Sequence, residues 1–218
     1  MRPLFEALQH GSTALGLELT EEQLGRLLDY LGLLQKWGQV YNLTAVRQPD
    51  EMLTHHLLDS LAMVLPLQAR IDAMAPAPEI RLLDVGSGAG LPGVVIAVCC
   101  PNLRVSCVDT VAKKAAFIRQ AALSLQLSNL QGIHARVENL PGSYDVMVSR
   151  AFASLADFAH LSAHCLAPGG IWLAMKGKLP DAEMAALPVS VRVFHVEQIV
   201  VPGLNAERCL VWMKHHLI

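Results

Sequence analysis

The chain is expected to fold as an α/β protein, with a mostly parallel seven-stranded sheet ending in an antiparallel strand pair. An N-terminal helical extension precedes the sheet. Three observations carry this expectation. From residue 79 onward, short apolar runs alternate with helical stretches, the pattern of βαβ units. The first run, Ile80–Val85, leads straight into a turn with four glycines in eight positions (86–93). The last two runs are joined by Pro202-Gly203-Leu204-Asn205, a connection too short for a parallel crossover.

Composition supports a folded, water-facing protein. Of 218 residues, 53% are hydrophobic and 17% charged, with a formal net charge of -2. That excludes disordered, collagen-like and low-complexity chains. A chain this long buries roughly 70% of its unfolded surface, enough for one domain with a small extension. Residues 1–75 are assigned to the extension and 79–218 to the sheet domain, in one compact unit. Residues 85–103 carry no charge over 19 positions, a nominal membrane span. Their four glycines and two prolines read better as a strand, a turn and a short buried helix. Met1 to Glu6 lack the apolar core of a signal peptide, so a cytoplasmic protein without membrane contact is expected. The five cysteines (99, 100, 107, 165, 209) sit in apolar runs without CxxC spacing and read as reduced, buried thiols.

Each element has its own signal. Thr20-Glu21-Glu22-Gln23 is a capping box. Leu24, Leu27, Leu28, Leu31, Leu34 and Trp37 follow at helical spacing. A further helix is expected from near Asp50, with Leu53, Leu57, Leu58, Leu61 and Val64 on one face. Met74-Ala75-Pro76-Ala77-Pro78 is a stiff linker that no helix crosses. After the first strand come a helix at about 92–100, a strand at 103–108 and a helix at 112–127. Strands follow at 130–134, 144–149 and 170–175, with a helix at about 154–166 between the last two. Strands at 189–201 and 209–214 close the sheet.

The glycine-rich turn, Asp84-Val85-Gly86-Ser87-Gly88-Ala89-Gly90-Leu91-Pro92-Gly93, narrows the function. Gly88 and Gly93 have the spacing of a phosphate-binding loop, but Val94 stands where its lysine should be. Ser87 lacks flanking glycines at two positions to either side, so it is no nucleophile elbow. Gly88-x-Gly90-x-x-Gly93 matches the dinucleotide fingerprint, and Asp109 follows where an acid for ribose hydroxyls belongs. Asp84 discriminates between the ligands that remain. A carboxylate here repels a pyrophosphate but favours the ammonium and sulfonium of S-adenosylmethionine, which carries no phosphate. Asp84, Gly86, Ser87, Gly88, Gly90 and Asp109 are therefore expected around that cofactor. The expected architecture becomes a Rossmann-like, class I methyltransferase sheet, which the terminal antiparallel pair suits. A nicotinamide-dependent oxidoreductase is the alternative from another class, together with a non-catalytic S-adenosylmethionine-binding regulator.

Two common methyl-transfer chemistries lack their residues. No Asn/Asp-Pro-Pro-aromatic motif follows the fourth strand, where Ser149-Arg150-Ala151-Phe152 stands instead. The nearest cysteine, Cys165, lies deep in an expected helix, so a thiolate nucleophile is not available.

The chain resembles the bacterial 16S ribosomal RNA methyltransferase G family (RsmG, also called GidB). The carriers are Trp37-x3-Tyr41-Asn42-Leu43-Thr44-Ala45-Val46-Arg47, His56-Leu57-Leu58-Asp59-Ser60-Leu61 and the turn from Asp84 to Gly93. Arg136-Val137-Glu138, Ser149-Arg150-Ala151-Phe152-Ala153-Ser154-Leu155 and Lys176-Gly177 complete the series. The segment Asp109-Thr110-Val111-Ala112-Lys113-Lys114 departs from the family, which usually has Asp-Ser there and an arginine after the lysine. The resemblance implies methylation of guanine N7 in 16S rRNA near the decoding site, on naked RNA, the 30S subunit or its assembly intermediate. It also implies cofactor contact for Gly86, Leu91, Val137, Glu138 and Arg150. A SAM-dependent methyltransferase of another RNA or a small molecule is the alternative within catalysis.

Guanine N7 has a lone pair and no proton to lose, so in-line transfer needs no general base. No acid–base residue is nominated, and catalysis rests on orientation. Arg150 is expected at the cofactor carboxylate or guanine O6. Phe152 either stacks on the target base or packs in the core. Asn42, Arg47, His56, Lys113, Lys114 and Lys176 are candidate RNA contacts, with Arg119 and Lys178 as further phosphate candidates. His160 and His164 lack the Glu of an HExxH pair, and no metal is expected. The protein is expected to act as a monomer. The near-neutral total charge excludes a broad electrostatic grip on RNA and leaves room for a local basic rim.

Overall fold

The computed structural model describes residues 2–41, 43–44, 46–74, 79–150, 152 and 154–216. The Pro76/Pro78 linker and Asn42 lie outside them. Two long helices open the chain, α1 (Arg2–Ala14) and α2 (Glu21–Tyr41). The capping box forms as its spacing predicts. The Gln23 backbone N–H donates to Thr20 Oγ1 at 3.2 Å, and the Thr20 N–H donates to Gln23 Oε1 at 3.0 Å. The Gln23 amide then reaches across to donate to the Val98 carbonyl at 3.2 Å.

The helix expected from Asp50 is a composite. Residues α3 (Pro49–Met52), a π-helical turn (Leu53–Leu58) and α4 (Asp59–Leu61) run on without a break. The final helix of the extension is α5 (Val64–Asp72). The π turn still buries Leu53, Leu57 and Leu58. At this turn the Asp59 N–H bonds to the Thr54 and His56 carbonyls, and the His55 carbonyl accepts instead from Arg150 Nη1 at 2.9 Å.

The strands are β1 (Ile80–Val85), β2 (Leu103–Asp109), β3 (Leu130–His134), β4 (Tyr144–Ser149), β5 (Leu166–Lys176), β6 (Val191–Ile199) and β7 (Arg208–His215). They form one sheet in the order β3-β2-β1-β4-β5-β7-β6. The first five strands are parallel, and β7 runs antiparallel to both β5 and β6. The order reverses between β1 and β4, which opens a crevice at their carboxyl ends, the usual ligand position in such sheets.

The connecting helices are α6 (Gly93–Cys99), α7 (Ala112–Ser124), α8 (Leu155–Ser162) and α9 (Asp181–Ala185). Several boundaries differ from the sequence reading. The helix expected to reach residue 166 ends at Ser162, and a 3-10 turn (Ala163–Cys165) follows. β5 then begins at Leu166, four residues early, because Leu166 already pairs with Tyr144 before a register shift. The α7 helix stops at Ser124, and Gln126 closes it with φ of 55°. The short helix α9 carries no clear periodic signal.

One face of the sheet packs on α6, α7 and the extension in a single apolar cluster running from Leu8 and Leu27 to Val146 and Trp212. The other face packs on α8, around Leu155, Phe158 and Trp172. All five cysteines are buried and outside any disulfide. Among the described residues no helix is long and apolar enough to cross a membrane.

The extension is bonded to the glycine-rich turn itself. The fully buried Tyr30 hydroxyl donates to the Ala89 carbonyl at 2.7 Å. Tyr30→Phe leaves that carbonyl unpaired and should lower the unfolding free energy by about 1–2 kcal/mol in urea melts. An unchanged midpoint would show that the bond contributes nothing.

Candidate cofactor site and its rim

The turn after β1 is laid across the end of β2. The Gly86 and Ser87 N–H groups both donate to the Val108 carbonyl, at 3.0 and 3.1 Å. Two aspartates then fix it from either side. Asp84 Oδ2 accepts from the Gly93 N–H at 2.8 Å and so anchors the start of α6. Asp109 Oδ2 accepts from the Gly88 N–H at 2.9 Å, while its Oδ1 accepts from the Val111 N–H at 2.8 Å. Glycine is required at two positions for different reasons. A Cβ at Gly93 would meet Cys107 Sγ and the Asp84 carboxylate, and Gly90 has φ of +92° with Val94 Cγ2 only 2.6 Å from a Cβ site.

Asp84 is 1% exposed, and its Oδ1 is buried with no hydrogen-bond partner. Burial pushes its pKa up to about 7, against the pull of the Gly93 N–H and the Arg150 charge. A carboxylate with one free oxygen in so dry a place is a poised site for a cation.

Beyond the turn lies a cavity of about 410 Å³, within the usual range for small-ligand sites. Gly86 and Asp109 form one wall, Val137 and Glu138 a second, and Phe152 and Asp157 a third. Glu138 is paired with Arg136 at 3.1 Å. Its own backbone N–H and the Arg136 guanidinium hold its carboxyl below the ordinary value. Asp157 Oδ2 accepts from the Ser154 hydroxyl at 2.7 Å at the start of α8. Phe152 contacts Phe158, with ring centroids 5.8 Å apart, and its edge lies over Gly86.

At the same end of the sheet sits a rim of cations. Arg150 follows β4, and its Nη1 lies 3.1 Å from Asp59 Oδ2. Arg208 opens β7, with Nε 2.7 Å from Asp59 Oδ1. Lys176 ends β5 and lies 2.8 Å from Glu183. His56 is also buried, with Nε2 2.8 Å from Thr44 Oγ1 and Nδ1 unpartnered. Burial, helped by the Arg150 charge, pushes its pKa down to about 4.

The residues singled out by sequence thus fall into groups. Gly86, Asp109, Val137, Glu138 and Phe152 line the cavity. Asp84, Ser87, Gly90 and Leu91 are buried around the turn, and Gly88 is held by Asp109. Arg150 faces Asp59. Lys114 lies 3.6 Å from Asp109, whereas Arg47 and Lys113 are exposed. Asn42 lies outside the described residues. Sequence reasoning did not find Asp157, Arg208 or Glu183. A charge inside the leucine stripe Leu57-Leu58-Asp59-Ser60-Leu61 was the available signal for the Asp59 network, since buried acids are nearly always paired. Among the described residues no cluster of His, Cys, Asp and Glu could hold a metal. Cys165 is buried, and burial pushes its thiol pKa up.

Residues 23–212 match the family model described as rRNA small subunit methyltransferase G. The chain belongs to this family. It is 65% identical to the Ribosomal RNA small subunit methyltransferase G of Acidovorax sp., over 95% of this chain and 94% of that one. It is 61% identical to the protein of the same name from Albidiferax ferrireducens, over the full length of both. Its fold is similar to the crystal structure of TrmN from Thermus thermophilus (TM-score 0.55, 20% identity), covering 75% of this chain and 53% of the other. As a methyltransferase G family member the chain is an S-adenosylmethionine-dependent enzyme. The cavity fits that cofactor in volume and in the acid at the end of β2, whereas Asp84 lies buried behind the turn and outside the cavity lining.

The two perturbed groups give opposite pH dependences. Asp84 keeps its proton in the folded state up to about pH 7, so its contribution to stability is lost as pH rises from 4 to 7. His56 stays neutral in the folded state down to about pH 4, so its contribution is lost as pH falls from 6.5 to 4. The two largely cancel in the wild type. Urea melts from pH 4.5 to 7.5 should separate them. Relative to wild type, Asp84→Asn should gain stability with rising pH and His56→Gln should lose it, each by up to about 1.4 kcal/mol per pH unit. Parallel curves for all three proteins would contradict both assignments.

Proposed function

We propose that this chain methylates N7 of a guanine in 16S rRNA by direct in-line transfer, without a general base. The observation that carries the reading is the state of the acids lining the cavity. Asp109 is committed to the Gly88 and Val111 N–H groups. Glu138 is committed to Arg136 and Asp157 to Ser154. Each is held by the protein's own donors, which suits it to binding and orientation rather than to proton transfer. A substrate atom with its own lone pair and nothing to deprotonate suits such a site. The relatives named as small-subunit rRNA methyltransferases supply the substrate class.

When bound, S-adenosylmethionine supplies a sulfonium methyl group. The N7 lone pair would take that methyl, the new C–N bond replacing the C–S bond and the positive charge passing from sulfur to the purine. This chain's residues then act by binding and orientation. Asp109 accepts from the ribose hydroxyls. The Val137 backbone and Glu138 hold the adenine, and the turn from Gly86 through Ser87, Gly88, Gly90 and Leu91 approaches the methionine end. Asp84 would act on the ammonium from behind the turn, through its charge and its hold on Gly93. Arg150 binds guanine O6 or the cofactor carboxylate, and Phe152 closes the stack over the base. Arg47, Lys113, Lys114 and Lys176 take phosphates, and Asn42 is a further RNA contact. His56 is buried and acts by holding Thr44 in place. The partner is a 30S subunit or its assembly intermediate in the cytoplasm, bound by a monomer.

The test uses labelled S-adenosylmethionine and 30S subunits that lack this modification, followed by mass-spectrometric mapping. One N7-methylguanine in 16S rRNA is expected. Label on another nucleotide, or none in the rRNA, would overturn the reading.

A further inference from the structure

We infer that Asp59 is a positioning residue for RNA engagement: its one buried carboxylate sets Arg150 and Arg208 side by side on the rim. The inference rests on the rRNA reading above. Sheet order places β5 between β4 and β7, and Lys176 of β5 pairs in register with Cys209, next to Arg208. Arg150, Lys176 and Arg208 therefore end up on three consecutive strands at the same sheet edge. Strands lie about 4.8 Å apart, so these cations crowd one another and need a counter-charge.

Asp59 supplies it with both oxygens. Oδ2 meets Arg150 Nη1 at 3.1 Å, and Oδ1 meets Arg208 Nε at 2.7 Å. The acid is only 4% exposed, and the two arginine side chains are each 20% exposed. A guanidinium has five N–H donors. Arg150 uses Nη1 for Asp59 and the His55 carbonyl. Arg208 uses Nε for Asp59 and Nη1 for the Glu207 carbonyl. Among the described residues neither Nη2 has a partner, which leaves both available to an anion. Two guanidiniums on one carboxylate also leave a net positive charge, which a bridge serving stability alone would not need. Buried ion pairs are in any case weak stabilisers compared with apolar packing. The carboxylate comes from the first residue after the π turn, and that turn presents the His55 carbonyl to the same arginine. The extension thus orients cations that belong to the sheet domain.

Removing a negative charge from a basic rim should, on charge count alone, tighten RNA binding. Positioning predicts the opposite sign. The experiment measures binding of a 16S rRNA transcript by fluorescence anisotropy, with the full chain and no cofactor, so it does not depend on methyl transfer. Asp59→Asn is expected to bind about 10-fold more weakly than wild type. It should cause no further loss in an Arg150→Gln/Arg208→Gln background. Equal or tighter binding by Asp59→Asn would overturn the inference, as would an undiminished loss in the double background. If Asp59→Asn does not fold, Asp59→Glu replaces it. That variant keeps the charge and both arginines but moves the carboxylate by one methylene. Weaker binding then supports positioning, and unchanged binding overturns it. Failure of the N7 reading shows up separately, as unmethylated guanine with the RNA-binding difference intact.

Discussion

Two carboxylates at the ends of adjacent strands hold the site together. Asp84 closes β1 and Asp109 closes β2, and each binds a backbone N–H of the same glycine-rich turn. The turn is thereby fixed before any ligand arrives, pinned at Gly88 and at Gly93. Its glycines follow from this constraint, because the chain must double back against Cys107 and Val94 with no room for a Cβ. The arrangement carries a cost at Asp84, which is dry, short of one hydrogen bond and held half-protonated near neutrality.

The helical extension is bound into this arrangement at several points. Tyr30 reaches the Ala89 carbonyl of the turn. Gln23, after completing its own helix cap, reaches the last turn of α6. Asp59 reaches the ends of β4 and β7. Trp37 and Tyr30 both stack near Phe117 of α7, at 5.5 and 6.1 Å. The extension therefore shares one apolar core with the sheet and fixes the glycine-rich turn and the cationic rim together.

Local signals made most of the fold legible. Alternating apolar runs placed all seven strands, and the capping box placed the start of α2 to the residue. The turn was legible because its spacing and its flanking acids are close in sequence. What escaped depends on distant partners. Asp59 and Arg208 are 149 residues apart, and Tyr30 and Ala89 are 59 apart, so no local pattern links them. The π turn hands a carbonyl to an arginine 95 residues away, and an apolar stripe at helical spacing looks the same with or without it. β5 began early because Pro168-Gly169-Gly170 reads as a break, although Leu166 before it already pairs with β4. The net charge of -2 left room for a local basic rim, and the sequence pointed to Arg150 and Lys176 but not to Arg208, for a related reason. Its cations are gathered by topology from three strands, and the acids that balance them lie elsewhere in the sequence.

The central claim is that the doubly anchored turn, with Asp109 on its cavity side, forms the cofactor pocket. Calorimetric titration of S-adenosylmethionine into the wild-type chain and Asp109→Ala tests it most directly. One site per chain is expected in the wild type, with affinity at least about 10-fold weaker in the variant, since it loses both a ribose acceptor and the anchor of Gly88. Equal affinity in the two proteins would place the cofactor elsewhere and contradict the account.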